Sequence, residues 1–490
     1  MKRKFIFVLS VITLFACVFC FTGCEEEQAK SAYDIAVENG YELSETEWLE
    51  SLKGKDGKDG VDGVNGINGQ DGKDNTLSVN DYYEAAKENG YEGDMLDFIK
   101  TCLSVELTDD KYNVSKNLLS SVSIVCGFQV TQYNLIGNPF VGYTIDKDNP
   151  IITTEYSAGS GIIYKLDKES GTAYIITNYH VVYSAGADNP ISKDISVYLY
   201  GGEIAGQEIS AEYVGGAMNY DIAVLKIENS ERLKESDAGA AEFADSNEIV
   251  VGQKAVAIGN AEGAGISATS GVISVDSENI SMTGADEKTT INFRVMRIDC
   301  AVNSGNSGGG LFDADGKLIG IVNAKIIQSD VENIAYALPS NVVKFVADNI
   351  IDGGGVVKKC LLGVTVVSTE SKAVYNEEKG VTEIEEKVTV YEKTDGEESE
   401  KVVIEENALV YGKLKSGDVL KEIKIDKGGD GVIDATYEIT RSFIIVDAML
   451  TVRVGDKITI TAERKTENGL GTEEVVFTFD MTESCISEVK

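Results

Sequence analysis

Gly305-Asn306-Ser307-Gly308-Gly309 sets one serine hydroxyl between glycines. Glycine lets the backbone turn tightly, and the amides of Gly305 and Ser307 can then point at one spot and hold an oxyanion. Alone, such a turn is equally an ordinary loop, so its partners decide. A serine hydroxyl is a weak nucleophile at neutral pH and needs an adjacent base, usually an imidazole oriented by a carboxylate. The chain of 490 residues contains one histidine. It is His180, in Thr177-Asn178-Tyr179-His180-Val181-Val182, directly after the apolar run Ala173 to Ile176. The carboxylate candidate is Asp221, which opens the apolar segment Ile222 to Ile227. A carboxylate there is costly to bury unless hydrogen-bonded, and an imidazole N–H supplies that bond. Each residue alone has a bland explanation: a core histidine, a solvated strand-end aspartate, a glycine-rich turn. Together they spell acyl transfer, with Ser307 as nucleophile, His180 as general acid and base, Asp221 orienting it, and the Gly305 and Ser307 amides as oxyanion hole.

The chain order His180, Asp221, Ser307 is that of chymotrypsin-like proteases and not of subtilisins or α/β-hydrolases. The segments TNYHVV, YDIAVLKI and DCAVNSGNSGGGLFDADGKLIGIVNA resemble the three signatures of the HtrA (Deg) family of serine proteases. The resemblance covers residues 158–350, including the glycine-bounded Ser157-Ala158-Gly159-Ser160-Gly161-Ile162-Ile163. It implies two β-barrels with the triad in the cleft between them, cleavage of unfolded or extended polypeptides, no cofactor, and frequently a homotrimer. Ser304 and Gly310 stand where the family usually has prolines, and Cys300 where it has a small residue. These departures predict a looser loop, ordered by substrate. Cys300 itself reads either as a buried structural thiol or as a reactive one. In such folds the sixth residue before the nucleophile, here Ala301, floors the primary specificity pocket. Alanine offers no charge to attract lysine or arginine, so small or aliphatic side chains are expected. The substrate is then expected to pair along Ile321, Val322, Asn323 and Ala324.

The elements that must position these groups are strands. From Val105 the chain turns to short alternating apolar segments, such as Val122 to Phe128, Ile162 to Leu166, Ile195 to Leu199 and Val250 to Ile258. Strands at this spacing predict a sandwich or barrel, and the resemblance implies two six-stranded barrels. Pro339 to Ile351 has apolar residues at helical spacing and is stopped by Gly353-Gly354-Gly355, which resembles the terminal helix of the HtrA protease domain. Residues 106–355 are thus expected to form the protease domain and 356–490 a second unit. In the latter, Leu362-Gly363-Val364-Thr365, Tyr411 to Leu420 and Val454 to Thr461 resemble landmarks of a bacterial PDZ domain. The resemblance implies that Leu362, Gly363 and Val364 bind a C-terminal peptide carboxylate through backbone amides and offer an edge strand. An acidic insertion from about Ser368 to Glu406 and a longer loop, Asp426 to Asp434, depart from that pattern. The loop, DKGGDGVID, hints at calcium but lacks the spacing of an EF-hand and reads as a hairpin turn.

Ahead of the barrels, Met1-Lys2-Arg3-Lys4 and the apolar run Phe5 to Phe21 form an export signal. Phe21-Thr22-Gly23-Cys24 resembles a bacterial lipobox, which implies a signal peptide over 1–23 and lipidation at Cys24, the alternative being an uncleaved anchor. Either places the rest on the extracytoplasmic face of the cell membrane. Residues 24–105 read as a stalk in which helical repeats 31–52 and 81–103 flank Gly-x-y triplets over 54–74. Only glycine fits the axis of a collagen triple helix, so the triplets either trimerise locally or serve as a flexible spacer.

The predicted fold class is therefore mostly β: a chymotrypsin-like double β-barrel, then a smaller PDZ-like α+β domain, preceded by a short helical and collagen-like stalk. A formal net charge of -37 argues against nucleic acid and anionic surfaces as partners. Eight cysteines, three of them within the first 24 residues, do not make a disulfide framework, and a single histidine leaves no zinc spacing, so no metal is expected. Two functions from different classes fit. One is a membrane-tethered serine endopeptidase acting on unfolded or damaged envelope proteins; the other is a surface binding, adhesion or chaperone-like protein whose protease-like domain is inactive.

Overall fold

The computed structural model describes residues 86–87, 110–138, 142–203, 206–323, 334–377, 379–391, 404–405, 408–468 and 470–489. The export signal, Cys24 and the Gly-x-y triplets lie outside the described residues, as does the stalk apart from helical Ala86 and Lys87. Among the described residues no helix is long and apolar enough to cross a membrane.

Helix α1 (Asp110–Leu118) leads into a long antiparallel hairpin of β1 (Ser121–Asn138) and β2 (Gly142–Asp167). There follow β3 (Thr172–Thr177), the one-turn helix α2 (Tyr179–Val182), β4 (Asp194–Leu199), β5 (Ile209–Ser210), β6 (Glu212–Ala217) and β7 (Ile222–Ile227). They form one seven-stranded sheet in the order β5-β4-β1-β2-β3-β7-β6. Its end strands β5 and β6 are separated along the chain by Ala211 alone, so the sheet curls and its two edges approach there. The expected six strands gain a seventh in the two-residue β5. The period-two pattern of β1 explains the packing, because Val122, Ile124, Cys126 and Phe128 all turn inward against Ile175, Val197 and Leu225.

After α3 (Glu231–Glu235), capped by Ser230 Oγ accepting from Leu233 N–H, come β8 (Lys254–Gly259), β9 (Ser267–Thr283), β10 (Thr290–Ile298), β11 (Gly310–Phe312), β12 (Leu318–Asn323) and β13 (Ala335–Pro339). These six close into a barrel in the order β10-β13-β12-β11-β8-β9. Ile162, Val224, Val256, Ile258, Phe312 and Ile321 form an apolar layer shared by the two barrels. Helix α4 (Ser340–Asp352) lies on that layer, burying Val342, Val343, Val346 and Ile350 at helical spacing. The fold is mostly β, as the patterning predicts.

The C-terminal part contains β14 (Val357–Cys360), β15 (Val366–Asn376), β16 (Val381–Val390), β17 (Val419–Asp426), β18 (Ala435–Glu438), α5 (Ser442–Thr451), β19 (Lys457–Lys465), β20 (Thr472–Asp480) and β21 (Ile486–Val489). The sheet runs β15-β16-β17-β19-β20, with β18 beside β17 and with β14 paired to β21 separately. Sheet and α5 share a core of Leu420, Ile423, Ala448, Met449, Ile458 and Ile460. The first part of the acidic insertion is the β15–β16 hairpin, in which glutamates alternate with valine and isoleucine. The Asp426 to Asp434 loop is the β17–β18 turn, its amides at Gly431, Lys427 and Gly428 accepted by Asp426, Asp434 and Asp456. Among the described residues no cluster of three or more His, Cys, Asp or Glu could hold a metal ion.

Candidate active site

Asp221 follows a single 3-10 turn, Met218–Tyr220, and adopts a left-handed conformation with φ 50° and ψ 42°. Aspartate tolerates that region better than most residues, and here it aims the carboxylate back at α2. The carboxylate is 3% exposed and saturated by three donors. Oδ1 accepts the backbone N–H of His180 at 3.0 Å, while Oδ2 accepts His180 Nδ1–H at 2.6 Å and Asn323 Nδ2–H at 2.8 Å. Asn178 Nδ2–H and Tyr179 N–H both donate to the Asp221 carbonyl, so the one-turn helix is tied to this aspartate by main chain and side chain. With Nδ1 committed, His180 Nε2 faces Ser307 Oγ at 2.9 Å. His180, Asp221 and Ser307 are thus brought together from the one-turn helix α2, the turn before β7 and the loop before β11.

The loop before Ser307 is held by its carbonyls. Ser304 C=O accepts Glu262 N–H at 2.7 Å, Gly305 C=O accepts Ser160 Oγ–H at 2.7 Å, and Asn306 C=O accepts Gly309 N–H at 2.9 Å. The N–H of a trans peptide points away from its C=O, so these bonds orient the Gly305 and Ser307 amides as well. Ser160 is the hub, for its Oγ also accepts Asn260 N–H, its N–H donates to Ser307 C=O, and its C=O accepts Thr177 Oγ–H. The sequence shows Ser160 only as a serine between glycines, and nothing in its spacing reveals that it braces a loop nearly 150 residues on. Gly305 and Gly308 have φ of 92° and 85°, and a Cβ on Gly308 would lie 2.1 Å from the Ser160 carbonyl oxygen. The expected looseness from the missing prolines therefore meets a loop pinned at three successive residues.

The expected pocket residues are placed differently. Ile321, Val322 and Asn323 are fully buried in β12, which pairs with β11 as far as Ile321 and with β13 as far as Asn323. Asn323 donates its side-chain amide to Asp221. Ala324, with residues up to 333, lies outside the described residues. Ala301 is exposed, its carbonyl accepting Thr269 Oγ–H. Cys300 is 2% exposed, beside the Ala255 carbonyl, and burial pushes its thiol up to about 11, the environment of a structural thiol. A cleft of about 360 Å³ opens at Ser307, walled by Ala158, Tyr183, Ser304, Ala285 and Glu287.

In the C-terminal part, Leu362, Gly363 and Val364 line a groove of about 440 Å³ whose far wall is Ile445, Val446 and Met449 of α5. The Gly363 carbonyl accepts Glu405 N–H and Val364 bridges Ile404, on the side of the segment that continues β16.

Residues 159–321 match the family model of the trypsin-like peptidase domain. More particularly, the chain is similar to HtrA-type (Deg) serine proteases. It is 34% identical over 284 residues to the serine protease Do-like HtrA of Bacillus subtilis, covering 56% of this chain and 57% of that protein. Identity is 37% over 218 residues with the namesake of Lactococcus lactis subsp. lactis (43% and 48% covered), and 36% over 208 residues with the periplasmic serine endoprotease DegP of Escherichia coli (42% and 38% covered). The chain spans about half the length of the curated relatives it matches. A solved structure, the HtrA-type protease AlgWS227A with decapeptide, aligns over 76% of this chain and 96% of that chain at 26% identity, with a TM-score of 0.44. At that score the fold rests on the strand order and not on the superposition.

Proposed function

We propose that this protein is an HtrA-type serine endopeptidase that hydrolyses peptide bonds of unfolded or extended polypeptides outside the cytoplasmic membrane. The observation that carries this reading is one imidazole lying 2.6 Å from a saturated carboxylate and 2.9 Å from a serine hydroxyl. Ser307 Oγ attacks the scissile carbonyl as His180 Nε2 takes its proton, and Asp221 stabilises the imidazolium through Nδ1–H. The oxyanion of the tetrahedral intermediate is received by the Gly305 and Ser307 N–H groups. His180 then returns the proton to the leaving amine, and a water deprotonated by the same ring hydrolyses the acyl-enzyme.

The peptidase domain over 106–355 would be served by a PDZ-like unit, 356–490, taking C-terminal peptides along Leu362, Gly363 and Val364. Lipid at Cys24 would tether the chain, and the Gly-x-y triplets would assemble three copies. Ala301 favours small or aliphatic residues at the cleaved position.

Cleavage of casein and labelling by a serine-reactive phosphonate, with the full chain beside Ser307→Ala, test the activity. Both signals are expected in the natural chain and neither in the variant, with a loss on the order of a millionfold in kcat. Absence of both in the natural chain would replace this reading with that of a binding or chaperone-like protein on an inactive scaffold.

A further inference from the structure

The β9–β10 hairpin ends in a tight turn that reaches the cleft at Ser307. Gly284 N–H donates to the Thr289 carbonyl and Glu287 N–H to the Gly284 carbonyl. Asp286 braces the turn from inside, accepting Lys288 N–H, Thr289 N–H and Thr289 Oγ–H. These bonds hold its carboxyl low, at about 2. Glu287 is different. It is exposed and has φ 60°, a left-handed conformation that a side chain with a Cβ adopts only at a cost, and it lines the cleft together with His180, Ser304 and Ser307. Backbone strain maintained at the mouth of a reactive site suggests that the side chain's position is used. Among the described residues lining the cleft, Glu287 carries the one fixed charge, and neither lysine nor arginine joins it there. No ion pair to Glu287 occurs among the described residues.

We propose that Glu287 is a specificity-determining residue that selects polypeptides carrying lysine or arginine within two residues of the scissile bond. The inference rests on the peptidase reading of the same site and adds a substrate class to it. An extended substrate must lie across the Ser307 cleft, where a cationic side chain meets an unopposed carboxylate and an anionic one is repelled.

The test uses the full chain and unfolded synthetic peptides sharing one aliphatic cleavage residue, with Lys, Gln or Glu placed in turn at the two positions on either side. At one of these positions the natural protein is expected to show kcat/KM in the order Lys, Gln, Glu, with roughly fivefold between neighbours, as one partly exposed ion pair allows. Glu287→Gln should flatten the order and Glu287→Lys invert it, and rising salt should weaken it. Phosphonate labelling of Ser307 is followed in all three proteins. Normal labelling with no charge preference in the natural protein, or with a preference that survives Glu287→Gln, overturns the role of Glu287 alone. No labelling in the natural protein overturns the peptidase reading and the inference with it.

Discussion

Asn323 shows how a residue's role differs from its place in a motif. Its position in GIVNA suggests a pocket wall, yet its Nδ2–H is one of three donors that saturate Asp221. Removing a hydrogen bond to a charged group costs about 1.5–3 kcal/mol. Asn323→Ala is therefore expected to lower kcat about ten- to a hundredfold with little change in KM, as steady-state kinetics on a peptide substrate would show. An equal rise in KM would return Asn323 to the substrate pocket. The triad residues were legible because serine, histidine and aspartate occur in scarce contexts, above all the single histidine. Asn323 was not, since an amide donor has no spacing rule; only the fold brings it 102 residues back to Asp221.

At the scale of elements, β2 supplies the brace for the nucleophile loop through Ser160. Ser160→Ala would leave the Gly305 carbonyl and the Asn260 amide without their hydroxyl partner while keeping the strand. The expected result is a fall of about tenfold in kcat and slower phosphonate labelling, with unfolding little changed in denaturant. Unchanged labelling would mean that the loop is held by its other two carbonyl bonds. The contrasting element is β12. Its apolar run reads from sequence as a strand, and closure of the second barrel pairs it with β11 up to Ile321 and with β13 up to Asn323. Strand existence follows from local pattern, whereas edge or interior status depends on partners far away in the chain.

Across the whole molecule, α5 docks on the second barrel through buried charge. Arg294 of β10 lies 2.9 Å from Asp447 of α5 and stacks on Phe443 at 3.8 Å, while Arg441 meets Asp276 of β9 and Glu386 of β16. The Arg294–Asp447 contact is close but not aligned as a hydrogen bond, and Arg294 Nη2 and Asp447 Oδ2 both lack one. Burial consequently outweighs the attraction of Arg294, with Asp245 adding repulsion, and pushes the Asp447 carboxyl up to about 6. A folded value above the ordinary carboxylate range means that the folded chain binds the proton more tightly than the unfolded chain. The contribution to stability is fully present below the ordinary range, near pH 4, and is lost as pH rises through 6. Asp447→Asn, neutral throughout, removes that dependence. The stability of the variant relative to the natural chain should climb between pH 4 and 7 in denaturant titrations, whatever its constant offset. A difference independent of pH would show that Asp447 ionises normally in the fold.

What the sequence determined by itself is what local chemistry and periodicity encode: the serine, histidine and aspartate that meet at the cleft, the β character of the chain, the helix over Pro339 to Ile351 and the break after it. Scarce reactive side chains and two- or 3.6-residue periods survive without knowledge of partners. Tertiary structure decided the rest. It chose which strand edges are filled, made Ser160 and Asn323 supports of the nucleophile and the carboxylate, brought the Glu287 turn over the cleft, and buried Asp447 against Arg294. Each of these depends on contacts between segments tens to hundreds of residues apart, and a one-dimensional pattern carries no record of such distances.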